Sequence, residues 1–103
     1  MKIIKELTEL IEEELEGAEN YAKMANHYKE EHSTLAEALY EISTQEMRHV
    51  NVLHDEVVKL IKVHRERYGE PPEAMQAVYD WMHKKQIEEA AEVKRYQELY
   101  KTR

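Results

Sequence analysis

Apolar residues recur at steps of three or four along two long segments of the sequence. The first stripe comprises Ile4, Leu7, Ile11, Glu14, Ala18, Tyr21, Ala25 and Tyr28, and the second comprises Leu35, Leu39, Ile42, Glu46, His49, Leu53, Val57 and Leu60. Because residues three or four positions apart share one face of an α-helix, this spacing predicts two helices that each face a neighbour. The pattern favours an all-α fold.

Helix-breaking residues divide the chain into three predicted helices. The sequence has 103 residues but only two glycines and two prolines. The polar segment 30–34 forms the first break, and Ser33 or Thr34 is expected to cap the helix that follows. Gly69 ends that helix, and Pro71-Pro72 opens the next one. We expect helices at about 2–29, 34–68 and 73–100, in a single domain formed by residues 1–103.

Charge and composition exclude several functions. The net charge of −7 argues against nucleic-acid binding, which needs clustered Lys and Arg. The chain has no cysteine, which excludes thiolate metal sites, thiol catalysis and disulfides. No apolar run reaches the length of a membrane span, and no signal peptide is evident. We therefore expect a cytoplasmic protein with neither nucleic-acid nor membrane partners.

Glu14, Glu46 and His49 stand at stripe positions where the pattern calls for leucine. The short first break makes helices 1 and 2 an antiparallel hairpin, in which residues equally distant from the turn lie level. Glu14 lies 16 or 17 residues before the turn centre at 30–31, and Glu46 lies 15 or 16 after it. The two carboxylates should therefore face each other, with His49 one turn beyond Glu46 on the same helical face.

Such a group of side chains has two interpretations. A buried carboxylate or imidazole is costly unless it is paired or binds a metal, so the three residues are candidate metal ligands. Their oxygen and nitrogen atoms suit iron or manganese and would also accept zinc. The alternative is a helical interaction module, in which the same residues form buried hydrogen bonds that fix the pairing of helices.

The sequences around these residues resemble known motifs. From Glu14, a small residue follows three positions later and Tyr21 follows seven later, which resembles the first-helix signature of the ferritin-like superfamily. Glu46-x-x-His49 is similar to the second-helix signature, and bacterioferritins, rubrerythrins and encapsulated ferritins share both. The resemblance covers roughly residues 4–65. It implies that Glu14 is a terminal ligand, Glu46 bridges two irons, His49 is the nitrogen ligand and Tyr21 hydrogen-bonds to a ligand. Gly17 stands where alanine is more usual, a change expected to matter little.

The chain carries only half of the ligands that this resemblance implies. A complete di-iron site takes one Glu from each of two helices and Glu-x-x-His from each of the other two. The break at 70–72 is too short for a long crossover, so a two-fold dimer is expected to form the four-helix bundle and complete the site. Encapsulated ferritins are half-ferritins of this type. The resemblance therefore adds an encapsulin-type shell, a protein nanocompartment, as a candidate partner, although no targeting tail is evident after Thr102-Arg103.

Helix 3 offers two further carboxylates, Glu89 and Glu92. One hypothesis makes them extra metal ligands or residues for iron entry, and the other makes them part of a solvated acidic face, which is the more common use of such residues. The apolar residues of this helix are expected to serve packing rather than chemistry.

The expected function follows from the ligand types. The sequence predicts a ferroxidase that oxidises Fe(II) to Fe(III) at a di-iron site shared by a homodimer or an oligomer of dimers, for iron storage or detoxification. One alternative is a rubrerythrin-like, peroxide-scavenging di-iron protein. The other is a non-enzymatic helical dimerisation or adaptor module.

Overall fold

A computed structural model describes residues 2–102 and contains three α-helices within them. They are α1 (Lys2–Tyr28), α2 (Ser33–Tyr68) and α3 (Glu73–Lys101), and the described residues form no strand. Each helix begins and ends within one residue of the sequence prediction, so the all-helical class is confirmed. None of the three helices is both long enough and apolar enough to cross a membrane. The first and last residues of the predicted domain, 1 and 103, lie outside the described range.

The break between α1 and α2 is closed by backbone hydrogen bonds. The His32 amide donates to the carbonyl oxygen of Tyr28 (2.8 Å), and the Ala36 amide donates to that of His32 (2.9 Å). No side chain caps the start of α2, so the predicted capping role of Ser33 or Thr34 is wrong. The reason is that α2 already includes Ser33, whose hydroxyl is therefore inside the first turn rather than ahead of it.

Gly69 ends α2 as the sequence predicts. Its φ of 80° lies in the left-handed region that favours glycine, and its amide donates to the carbonyl oxygen of Arg65 (2.8 Å). Pro72 then immediately precedes α3. This sharp stop returns the chain antiparallel to α2.

Helix α1 is the centre of the fold, because its backbone lies close to those of both other helices, whereas the backbones of α2 and α3 approach each other at few points. Ile11 and Leu15 of α1 form the core with Val50 of α2, and Ala90 of α3 packs against them. The remaining buried positions of α1 and α2 are small or aliphatic residues, namely Ile4, Thr8, Ala18, Ala22, Ala25, Ala36, Leu39 and Ser43. The alanines allow the helix backbones to approach closely.

The predicted stripe of α1 divides into two lines in the structure. Ile4, Ile11, Ala18 and Ala25 are buried, whereas the alternate members Leu7, Glu14, Tyr21 and Tyr28 are only half-buried. Thr8, Leu15 and Ala22, which lie outside the predicted stripe, are buried as well, because α3 covers that side of α1. The uncovered side is here called the open face. It comprises Leu7, Glu14, Tyr21 and Tyr28 of α1 and Leu35, Ile42, Glu46, His49, Leu53 and Leu60 of α2.

One buried hydroxyl joins all three helices. Ser43 Oγ donates to the carbonyl oxygen of Ala18 (2.7 Å), and Gln97 Nε2 donates to Ser43 Oγ (3.0 Å). Nearer the turn, the rings of Tyr40 and Tyr100 stack with their centroids 4.8 Å apart. These contacts hold the C-terminal half of α3 against the hairpin formed by α1 and α2.

We predict that Ser43→Ala lowers the free energy of unfolding by about 1 kcal/mol, because it leaves the Gln97 amide without its buried partner. Urea denaturation followed by circular dichroism measures the change. Thr44→Ala is the comparison, since within residues 2–102 the Thr44 hydroxyl donates only to the Glu41 carbonyl oxygen of its own helix (2.7 Å). Equal losses in the two variants would contradict a bridging role for Ser43.

Candidate metal site

The three predicted ligands come from the middle of the α1–α2 hairpin. Glu14 lies on α1, and Glu46 and His49 lie one turn apart on α2. The hydrogen bond between Ser43 and Ala18 is about one turn away from each carboxylate and fixes the register of the two helices there. The level arrangement of Glu14 and Glu46 predicted from the turn is therefore present in the structure.

Donor atoms of all three side chains converge. Each of Glu14, Glu46 and His49 offers one ligand atom, and these atoms lie within 4.8 Å of one another. His49 Nδ1 and Glu14 Oε2 are 3.4 Å apart, which is long for a hydrogen bond. Two atoms bound to one ion at about 2.1 Å would be about 3.0–3.4 Å apart at ordinary coordination angles. The spacing is compatible both with a long ion pair and with two ligands of a single ion.

The three side chains are accessible from the open face. The exposed fraction is 28% for the Glu14 side chain and 59% for His49, and Glu46 is half-buried. The hairpin itself covers only one side of the ligand group. An ion bound there by one chain would keep coordination positions free on the other side.

Tyr21 lies on the same face of α1 as Glu14, two turns further along. Its ring is half-buried, and its hydroxyl makes no hydrogen bond to any residue that the structure describes. A half-buried phenol normally finds a partner. The hydrogen bond from Tyr21 to a ligand carboxylate stays a prediction.

Glu89 and Glu92 lie apart from these ligands. They line a groove between α1 and α3 together with Glu12, Glu16 and Glu19. Glu92 pairs with Arg95 on its own helix at 3.0 Å. The structure does not bring either residue to Glu14, which favours the interpretation of helix 3 as carrying a solvated acidic face.

The carboxyl group of Glu89 has an unfavourable environment. Burial raises its pKa, and the nearby charges of Glu19, Glu16 and Glu12 raise it further, while Lys85 partly offsets them. Because the ionised form is disfavoured in the fold, the contribution of Glu89 to stability is greatest at acid pH and falls as the pH rises through its raised pKa.

Two features of the structure have no counterpart in the sequence interpretation. A largely apolar groove of about 470 Å³ lies among the N-terminal part of α1, α2 and the N-terminal half of α3, and it includes Ile61, Met75 and Tyr79 but none of the three candidate ligands. Gly17 lies directly beside the carboxylate of Glu46. The position of Gly17 beside Glu46 could have been suspected from the sequence, because a glycine inside a long helix and one turn from Glu14 is unusual.

No protein-family model matches this chain, and no curated protein or solved structure does either. The ferritin-like resemblance therefore depends on the residues of α1 and α2 and their geometry.

We predict that Glu89→Gln raises the free energy of unfolding at neutral pH by about 0.3–0.5 kcal/mol, by removing a like-charge repulsion at a partly exposed site. The gain should disappear below about pH 4, where Glu89 is protonated. Urea denaturation across this pH range measures it. Glu41→Gln removes the same charge from an exposed position of α2. A gain from Glu41→Gln as large as that from Glu89→Gln would mean that overall charge is the cause.

Proposed function

We propose that this protein binds Fe(II) through Glu14, Glu46 and His49 and oxidises it to Fe(III) at a di-iron site shared by two chains. The observation that carries the proposal is the convergence of two carboxylates and one imidazole within 4.8 Å, from two helices whose register is fixed beside them. The two-part ferritin-like resemblance supports the same assignment.

The donor set fits iron. Carboxylate oxygen and imidazole nitrogen are ligands that iron and manganese accept, and zinc would also bind. The two negative charges of Glu14 and Glu46 balance one divalent ion, and His49 contributes a neutral nitrogen. Three protein ligands leave room for water, for oxygen or for ligands from a second chain.

The open face supports a site shared between two copies. Leu10 and Leu35 are 45% and 47% exposed at its edges, and Leu7, Tyr21 and Leu53 are half-buried around the carboxylates. Apolar residues exposed together on one face commonly mark an interface. A two-fold dimer through it would cover these residues and supply a second set of ligands, giving a four-helix bundle with α3 outside. Larger oligomers of such dimers are compatible with it.

The chemistry follows from holding two substrate ions together. Two ferrous ions supply the two electrons that convert one oxygen molecule and two protons to hydrogen peroxide. The four carboxylates of two chains favour the more highly charged ferric product. Glu14 and Glu46 orient the ions, His49 supplies the nitrogen ligand, and we assign to Tyr21 a hydrogen bond that steadies a ligand carboxylate. Such an activity would serve iron storage or detoxification, in the cytoplasm or inside a protein nanocompartment.

We predict that the purified protein accelerates oxygen consumption after addition of Fe(II), and that Glu46→Ala reduces the rate to that of protein-free buffer. The reason is that loss of this carboxylate removes one ligand from each chain. An oxygen electrode measures the rate. Glu41→Ala, which alters an exposed carboxylate of the same helix, should retain the wild-type rate. Full activity in Glu46→Ala would contradict the assignment.

We predict that divalent metal tightens the dimer by about tenfold or more, since the metal-free dimer places like charges against one another. Sedimentation equilibrium with Mn(II), which avoids oxidation, and with EDTA measures the effect. About one ion per chain is expected in the dimer. A dimer that binds no metal and whose dissociation constant does not change with Mn(II) would instead favour the adaptor function.

A further inference from the structure

Two histidine rings from different helices meet at the largely apolar groove. His54 comes from α2 and His83 from α3, and their ring centroids are 5.4 Å apart with an angle of 25° between the ring planes. His54 is half-buried, His83 is exposed, and both line the groove. Because the groove is open, an ion from solvent can reach both rings.

The nitrogen atoms of these two rings are available to a ligand. Within residues 2–102, neither His54 nor His83 makes a hydrogen bond or an ion pair, and each ring contacts only the other ring of the pair. A neutral imidazole has one nitrogen that accepts a hydrogen bond, and this atom is also the one that binds a metal. Each ring therefore offers one metal ligand.

The separation of the rings fits an ion shared between them. Two imidazoles bound to one ion at about 2.0–2.1 Å, with a tetrahedral angle, have their centroids about 5 Å apart. The observed separation of 5.4 Å is close to that value. The same separation also suits ordinary ring stacking, which involves no metal and makes a different prediction.

The surroundings of the pair favour a cation. Asp80 lies one turn before His83 on α3 and lines the same groove, where its carboxylate accepts a hydrogen bond from Gln76 (2.8 Å). The cations that line the groove, Lys62 and Arg65, lie two turns or more beyond His54 on α2. The charge nearest to the pair along α3 is therefore negative on the side of Asp80.

We propose that His54 and His83 form a second metal site, which binds one Zn(II) ion per chain between α2 and α3. Imidazole nitrogen suits zinc, and the open groove lets water fill the remaining coordination positions. Because the backbones of the two helices approach each other at few points, the ion fastens the N-terminal half of α3 to α2. This site shares no residue with the proposed iron site and does not depend on it.

The test measures zinc binding in a parent variant that carries Glu46→Ala and His49→Ala, which removes two ligands of the iron site and leaves His54 and His83 in place. Calorimetry should give one Zn(II) per chain with a dissociation constant in the micromolar range. With zinc at about ten times that constant, the melting temperature should lie about 5 °C or more above its value in EDTA.

Two further variants of the parent remove one ring each. His54→Gln and His83→Gln should each weaken zinc binding at least about tenfold, since even an outer partner of a metal ligand contributes that much. At the same zinc concentration, either substitution should reduce the rise in melting temperature to less than half.

His64→Gln is the matched control. His64 lines the same groove, but its ring packs against Tyr68, with the ring centroids 4.9 Å apart. This substitution should leave both the zinc affinity of the parent and the rise in melting temperature unchanged.

Three results would overturn the inference. Zinc binding only in the millimolar range would show an adventitious ion. Equal weakening by His64→Gln and His83→Gln would show that the groove has no defined zinc site. Unchanged zinc affinity in both His54→Gln and His83→Gln, with a lower melting temperature in EDTA, would show that the two rings only stack. Failure of iron oxidation in the wild type would refute the proposed function and leave this test unaffected.

Discussion

The hydrogen bond from Ser43 to the Ala18 carbonyl oxygen sets the register of α1 against α2, and the candidate site depends on that register. A shift of one residue along either helix would rotate Glu14 away from Glu46 by about 100°. Alanines at the interface bring the backbones close enough for this short bond. Helix packing therefore orients the two carboxylates, which the turn between α1 and α2 has already placed level.

The position of α3 explains why the ligands remain accessible. It packs on the side of α1 that carries Leu15, so the core forms there and the opposite side of the hairpin stays uncovered. Glu14 and His49 lie on that uncovered side among half-buried apolar residues. A third helix on the open face would have closed the site within one chain. Its absence there leaves the surface that a second copy of the hairpin would cover in the dimer we propose.

The sequence was sufficient for the helices and for the grouping of Glu14, Glu46 and His49. Periodicity and the residues of each break determine helix ends, and the turn determines which residues are level. The sequence was insufficient where α3 packs against the hairpin of α1 and α2. Because α3 packs on α1, the side of α1 that carries Leu15 is buried and the predicted side that carries Leu7 is not. The same packing places Glu89 beside other carboxylates. The position of Gly17 beside Glu46 is tertiary, and the sequence shows only a glycine inside a long helix, not the residue that it faces.

The most direct test of the shared site is anomalous X-ray diffraction from crystals grown with Mn(II). We expect two strong peaks beside a two-fold axis between hairpins, each coordinated by Glu14, Glu46 and His49, with α3 on the outside of the bundle. Manganese bound elsewhere, or these three side chains directed into solvent with no second chain against them, would contradict the account.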